Sequence, residues 1–248
     1  MNNSSNAMKR WKLNGDRGIR WDVDADEKIP HGDRVEMSGL HVSIIADYEV
    51  GWDRTCKVKR TLIFPMLRTV PNDTHASLRR DVDEMVAPTI KVNGHSIARP
   101  VTKEIIVDGL LTIRGESAYG VAVERVIFAT VRHPAACERW TVRNINPEVM
   151  TVEVCGSTLL QEVTDGSRGV YGSYRVEVSL QGGSTKVILA PGESVSFGVV
   201  SAARMEGEPA LALDVAAEEA ERRAWIAERR RNLKLETPEP LLNAMFDM

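Results

Sequence analysis

At 248 residues, with 43% hydrophobic and 27% charged side chains, the chain carries ample apolar material for a core and lies far from disordered compositions. A formal charge of −3, with basic residues interleaved among acidic ones, argues against a nucleic-acid footprint. No stretch approaches the ~20 apolar residues of a membrane span, so no membrane span is expected.

The first seven residues (MNNSSNA) are polar and precede a second methionine, Met8. They read as a cloning remnant and stand outside the fold. No apolar h-region follows, so no secretory signal is visible and no compartment is assigned. From residue 8 to about 212 the pattern is that of β-structure. Residues 41–50 and 55–64 alternate in polarity and flank Gly51-Trp52-Asp53-Arg54, which predicts a hairpin of two long strands. Residues 65–80 depart from this pattern. Pro65 and Pro71 predict a broken strand, and Arg, Asn, Asp, Thr, His and Ser crowd into a short stretch, as in a long polar loop rooted on rigid strands.

Further along, Ile105-Ile106-Val107 and Leu110–Ile113 meet across Asp108-Gly109, which suits a type I′ hairpin turn. Asn93-Gly94, and Gly182-Gly183 between 174–180 and 186–189, repeat the signal. Strands are also expected at 121–131, 140–145, 150–155 and 194–201. About a dozen strands at short spacing, with no helical period among them, predict a mostly β protein: a large antiparallel β-sandwich.

Near Asp214 the period changes. Glu218/Arg222 and Glu219/Arg223 stand four apart with the acid N-terminal, the favourable order for helix pairs. The expected element is a linker helix with a largely solvated face, docked by Trp225, Ile226 and Leu233. After Leu235-Glu236-Thr237-Pro238-Glu239-Pro240 a second helix begins. Thr237 is the expected N-cap and Pro238 the first helical residue. Its apolar set (Leu241, Leu242, Met245, Phe246, Met248) needs a partner, since a helix this short does not stand alone in water. Residues 213–248 therefore read as a linker helix and the start of a truncated helical domain.

No catalytic spacing appears. There is no G-x-S-x-G, H-E-x-x-H, Walker loop or G-x-G-x-x-G. Gly166–Gly172 is glycine-rich but precedes a strand, as a hairpin loop does. The three cysteines (Cys56, Cys137, Cys155) form no CxxC and the five histidines no ligand pair, so neither metal site, disulfide framework nor cofactor is signalled. The cysteines read as buried free thiols. Trp52, at a hairpin tip beside Asp53 and Arg54, is the best candidate for stacking on a sugar ring.

The hairpin with its 65–78 loop, and the closing Leu-Glu-Thr-Pro-Glu-Pro-Leu-Leu-Asn-Ala-Met-Phe segment, carry a resemblance. They resemble the N-terminal β-sandwich of a modular glycoside hydrolase whose catalytic part is an (α/α)6 barrel of the six-hairpin type. The resemblance implies a supersandwich, or galactose-mutarotase-like, fold and an accessory role beside a catalytic domain absent here, with carbohydrate as substrate. That family keeps its catalytic carboxylates in the barrel, so none transfers to this chain. Arg68, Asn72, Thr74, His75 and Arg79 are the candidates for contact with the substrate cleft or the barrel. The alternative is an independent carbohydrate-binding, lectin-like module. A mutarotase-type epimerase is a third reading, with His75 as acid and Glu138 or Glu153 as base.

Overall fold

A computed structural model of the chain describes residues 10–15, 18–23, 30–70, 76–84, 87–156, 159–163, 172–232 and 234–246. In chain order the first strands are β1 (Lys12–Leu13), β2 (Ile19–Asp22), β3 (His31–Ser38), β4 (Ser43–Val50), β5 (Cys56–Arg68) and β6 (Ser77–Val82). Next come β7 (Thr89–Val92), β8 (His95–Ser96), β9 (Val101–Val107), β10 (Leu111–Ser117), β11 (Val121–Ala129) and β12 (Ala135–Asn144). The last are β13 (Met150–Cys155), β14 (Leu159–Val163), β15 (Tyr174–Gln181), β16 (Thr185–Leu189) and β17 (Ser194–Met205). Two helices follow, α1 (Val215–Asn232) and α2 (Pro240–Phe246). No described helix is long and apolar enough to cross a membrane.

Among the described residues all strand pairs are antiparallel, in three sheets. A nine-stranded sheet runs β1-β2-β9-β10-β11-β12-β17-β15-β14, and two four-stranded sheets run β3-β4-β5-β6 and β16-β13-β7-β8. The alternation in β4 shows why they stack: Ile44, Ala46, Tyr48 and Val50 are buried and the residues between them are not. These side chains share one core with Leu62 and Phe64 of β5, Val152 and Val154 of β13, and Ile105, Leu111, Ile127 and Val199 of the large sheet. The protein is thus a large antiparallel sandwich, with both small sheets facing the nine-stranded one.

The outer face of the large sheet is covered as well. Val126, Phe128, Ala135, Cys137 and Val200 form a second cluster with Val215 and Ile226 of α1. The Asp214 carboxylate caps α1, accepting hydrogen bonds from the Ala216 and Ala217 amides at 3.0 and 3.2 Å. The helix lies so close to the sheet that a Cβ at Gly198 would stand 2.4 Å from Val215 Cγ2.

Four local expectations change. Pro65 does not end its strand: β5 runs on to Arg68 with a register shift after Phe64, and residues 77–80 of the expected loop lie in β6, paired with β5. Its pairing with β4 has already ended at Ile63, so no ladder donor is lost at the proline. The Asp108-Gly109 link is not a type I′ turn. Only Gly109 has positive φ (+93°), and Val107 pairs with Leu111, leaving a three-residue connection. Leu110 is drawn outward into the cluster beneath α1, which widens the turn. Asn93-Gly94 does have both φ angles positive (49° and 84°), as expected. Gly182-Gly183 turns the chain with two positive φ angles, but β15 lies in the large sheet and β16 in a small one. That link is a crossing between layers, not a hairpin.

The fourth change concerns α2, which begins at Pro240 rather than Pro238. The Thr237 hydroxyl accepts from the Glu239 amide at 3.2 Å, and the Asn243 side chain reaches back to bond Thr237 N and O. Proline at the first helical position loses no hydrogen bond.

Candidate functional site

The polar-loop candidates are only partly within reach. Asn72, Thr74 and His75 lie outside the described residues, as do Leu233, Met248 and most of the 166–172 loop. Arg68 ends β5, where its carbonyl accepts the Tyr174 hydroxyl at 2.6 Å, tying this hairpin to the large sheet. Arg79 is exposed on β6, on the side opposite the buried Leu78 and Val82. Trp52 sits at the β4–β5 tip, 73% exposed. Its neighbour Asp53 accepts from the Thr55 amide at 3.0 Å, and the Arg54 carbonyl accepts from the Thr102 amide at 2.8 Å, so the tip is braced against β9.

A buried group of ionisable side chains lies inside the sandwich. In β5, β11 and β12 the residues flanked two places away by core side chains are Arg60, Arg125 and Glu138, so the pleat aims all three inward. Glu138 is 3% exposed and bridges the layers. Its Oε1 pairs with Arg60 of the facing sheet. Its Oε2 takes Arg125 Nε at 2.9 Å and the Trp140 indole N–H at 3.0 Å. Glu84 extends the group, accepting from Arg125 Nη1 at 2.9 Å and the Val58 amide at 3.0 Å, with Arg99 Nε 3.8 Å away. The Arg125 guanidinium lies 4.7 Å above the Trp140 ring, and Trp140 stacks on Phe197.

Burial drives the Glu138 carboxyl upward, but Arg125 and Arg60 outweigh it and hold the group at about 2. It is ionised at every ordinary pH with both oxygens occupied, which unfits it for general acid or base work. Burial pushes the neighbouring Cys56 thiol up to about 12, which keeps it protonated and a poor nucleophile. The cavity beside the cluster, walled by Cys56, Arg99, Thr102, Ile113 and Trp140, holds about 60 Å³. That is space for about two waters, not for a sugar ring. The arrangement clamps two sheets together.

The epimerase pairing gains no support from these positions. Glu138 is locked in the cluster, and Glu153 pairs with Lys186 across β13 and β16 at 2.6 Å. In the sequence Glu138 stands out only as a candidate base, and Arg60, Glu84 and Arg125 do not stand out at all. For Arg60, Arg125 and Glu138 the sequence carries a signal, since a charged residue between two apolar residues at i±2 in a strand points into the core. All three cysteines are free thiols as expected, though only Cys137 is fully buried.

The outward helix also differs from a solvated charge run. Glu219 and Arg222 are buried. Glu219 pairs with Arg223 at 2.9 Å as expected and also with Arg139 of β12. Arg222 does not pair with Glu218. Its guanidinium donates to the Ser38 and Gly109 carbonyls, and Glu218 faces His133 at 3.5 Å. Trp225 is half-buried against the sheet, between Arg222 and Arg229. No group of three metal-ligating side chains occurs among the described residues. The chain matches no protein-family model, and no curated protein matches it in sequence.

Proposed function

We propose that this chain is a non-catalytic β-sandwich module of a carbohydrate-active enzyme, bracing a helical glycoside-hydrolase domain of the six-hairpin type. The observation that carries the reading is the way the chain leaves the sandwich. The strut α1 is fixed to the large sheet by apolar contacts and by the Arg139–Glu219–Arg223 pairs, so it has a defined direction. The helix α2 then turns Leu242 and Phe246 outward, 48% and 46% exposed, while Ala244 faces inward. An apolar face of this kind suits packing against further helices. In the core, Glu84 and Glu138 are held by arginines, which favours a bracing role over a catalytic one. On this reading the β5–β6 hairpin, with Arg68 and Arg79, is the part that reaches toward the substrate cleft.

The native reading frame tests the proposal. Continuation past Met248 into successive amphipathic helices is the expected result, and a stop codon there refutes it. Hydrolysis of aryl glycosides by this chain alone would also contradict it. One observation favours a second reading, an independent carbohydrate-binding module: the exposure of Trp52 on a braced hairpin tip. Glycan-array binding abolished by Trp52→Ala is the result that reading requires, and silence across a broad array removes it.

A further inference from the structure

A second cleft opens where the sandwich edges part. It holds about 410 Å³, within the range of small-molecule sites. One wall is β3, from Asp33 to Ser38, a run of about 17 Å at roughly 3.4 Å per residue. The other is the margin of the large sheet, with Trp11, Ile19 and Val107. Val35 and Met37 add apolar surface on the β3 side, and Arg222 of α1 joins the lining near Ser38 and Gly109.

Arg222 is unusual in charge as well as place. It is 4% exposed, and no carboxylate among the described residues forms an ion pair with it. Two of its nitrogens donate to carbonyls, while Nε has no hydrogen-bond partner there. Burial alone pulls its pKa down, to about 10. A buried cation without a carboxylate partner carries a desolvation cost that hydrogen bonds to carbonyls offset only in part. The Glu138 cluster elsewhere in this fold meets that cost with carboxylates. Arg222 instead borders an open cleft.

We propose that this cleft binds a small organic monocarboxylate, its carboxylate on Arg222 and its apolar body between Trp11, Ile19 and Val35. A single charge is specified because Asp33 and Glu36 also line the cleft and oppose added negative charge, while Arg34, the other cation in the lining, is already paired with Asp47. This inference is independent of the role proposed for α2.

The probe is phenylacetate, compared with its neutral isostere phenylacetamide, on the full chain by NMR of the tryptophan indole N–H signals. Phenylacetate is expected to shift the Trp11 signal and to bind about tenfold more tightly than the amide. Equal affinity, a shift that spares Trp11, or no binding at millimolar concentration overturns the proposal. Arg222→Gln should remove the preference for the acid, and retention of that preference in folded variant refutes the assignment. Should that variant fail to fold, Val35→Phe fills the cleft with Arg222 intact. Binding is then expected to be lost, and unchanged binding refutes the site.

Discussion

Replacing Glu138 by glutamine removes one negative charge and little volume from the middle of the sandwich. Arg60, 1% exposed, loses its carboxylate partner, and Arg125 keeps only Glu84. The cost can be worked from the protonation equilibrium. The carboxyl lies at about 2 in the fold against an ordinary 4.5. Each tenfold change is worth about 1.4 kcal/mol, so the ionised form contributes about 3 kcal/mol, at the lower edge of the roughly 3–5 kcal/mol for breaking a buried pair. Because the folded value is the lower one, this contribution is complete above about pH 4.5 and is lost as pH falls toward 2. Urea unfolding of both proteins across that range reads the effect. The expected result is a gap of about 3 kcal/mol at pH 7 that narrows as the wild-type carboxyl protonates. Other carboxylates titrate in both proteins, so the difference between the two curves is the measurement. A gap below about 1 kcal/mol at pH 7, or one that does not narrow in acid, refutes the clamp.

Three further outcomes follow from the same geometry. Gly198→Ala places a methyl 2.4 Å from Val215 Cγ2 and should lift α1 from the sheet. A loss of about 1–3 kcal/mol in thermal unfolding is expected, and an unchanged midpoint would mean that the helix yields freely. Burial raises the thiols of Cys56 and Cys137, so iodoacetamide at pH 8 should leave both unmodified in the native protein and label them in urea, read by mass spectrometry. Rapid native labelling of Cys56 would show that the cluster opens to solvent. Thr237→Val removes the hydroxyl's bonds to Asn243 and Glu239. Faster amide exchange confined to α2, with the sandwich unaffected, is expected; slow exchange throughout α2 would mean that packing alone holds it.

β4 was readable in the sequence because only one of its faces is fully buried, whereas β3, with Met37 its one buried apolar side chain, shows no such alternation. β4 alternates because its other side meets water, and the tip at Gly51–Arg54 interrupts that alternation. β12 could not be read so, because both its faces are covered. Ala136 and Trp140 enter the main core, while Ala135 and Cys137 lie under α1. Glu138 and Arg139 then look like an ordinary surface pair, although one faces each buried layer. Turn residues gave chain reversal without giving sheet membership. Gly182-Gly183 has the φ angles of a reversal, and only the pairing of β16 with β13 sends it to the opposite layer. The partners of Arg222 are hidden from the sequence for a related reason. Helical spacing offered Glu218 as its partner, but the carbonyls of Ser38 and Gly109 come from segments far away in sequence.

The two buried arginine environments separate bracing from binding on physical grounds. Around Glu138, three guanidinium groups meet two carboxylates, and the adjoining cavity admits only water-sized occupants. Removing a partner there weakens the fold, because an uncompensated charge stays inside it. At Arg222 two carbonyls and the Trp225 ring take the place of a carboxylate among the described residues, and the adjoining cleft is several times larger. A ligand that supplies the charge would stabilise the folded state by mass action, in proportion to its occupancy. The response to added monocarboxylate should therefore depend on Arg222 and not on Glu138. Saturating phenylacetate should raise the unfolding midpoint of wild type and of Glu138→Gln alike, and should leave Arg222→Gln unmoved. A rise that persists in Arg222→Gln would place the anion elsewhere and dissolve the distinction between the two arginines.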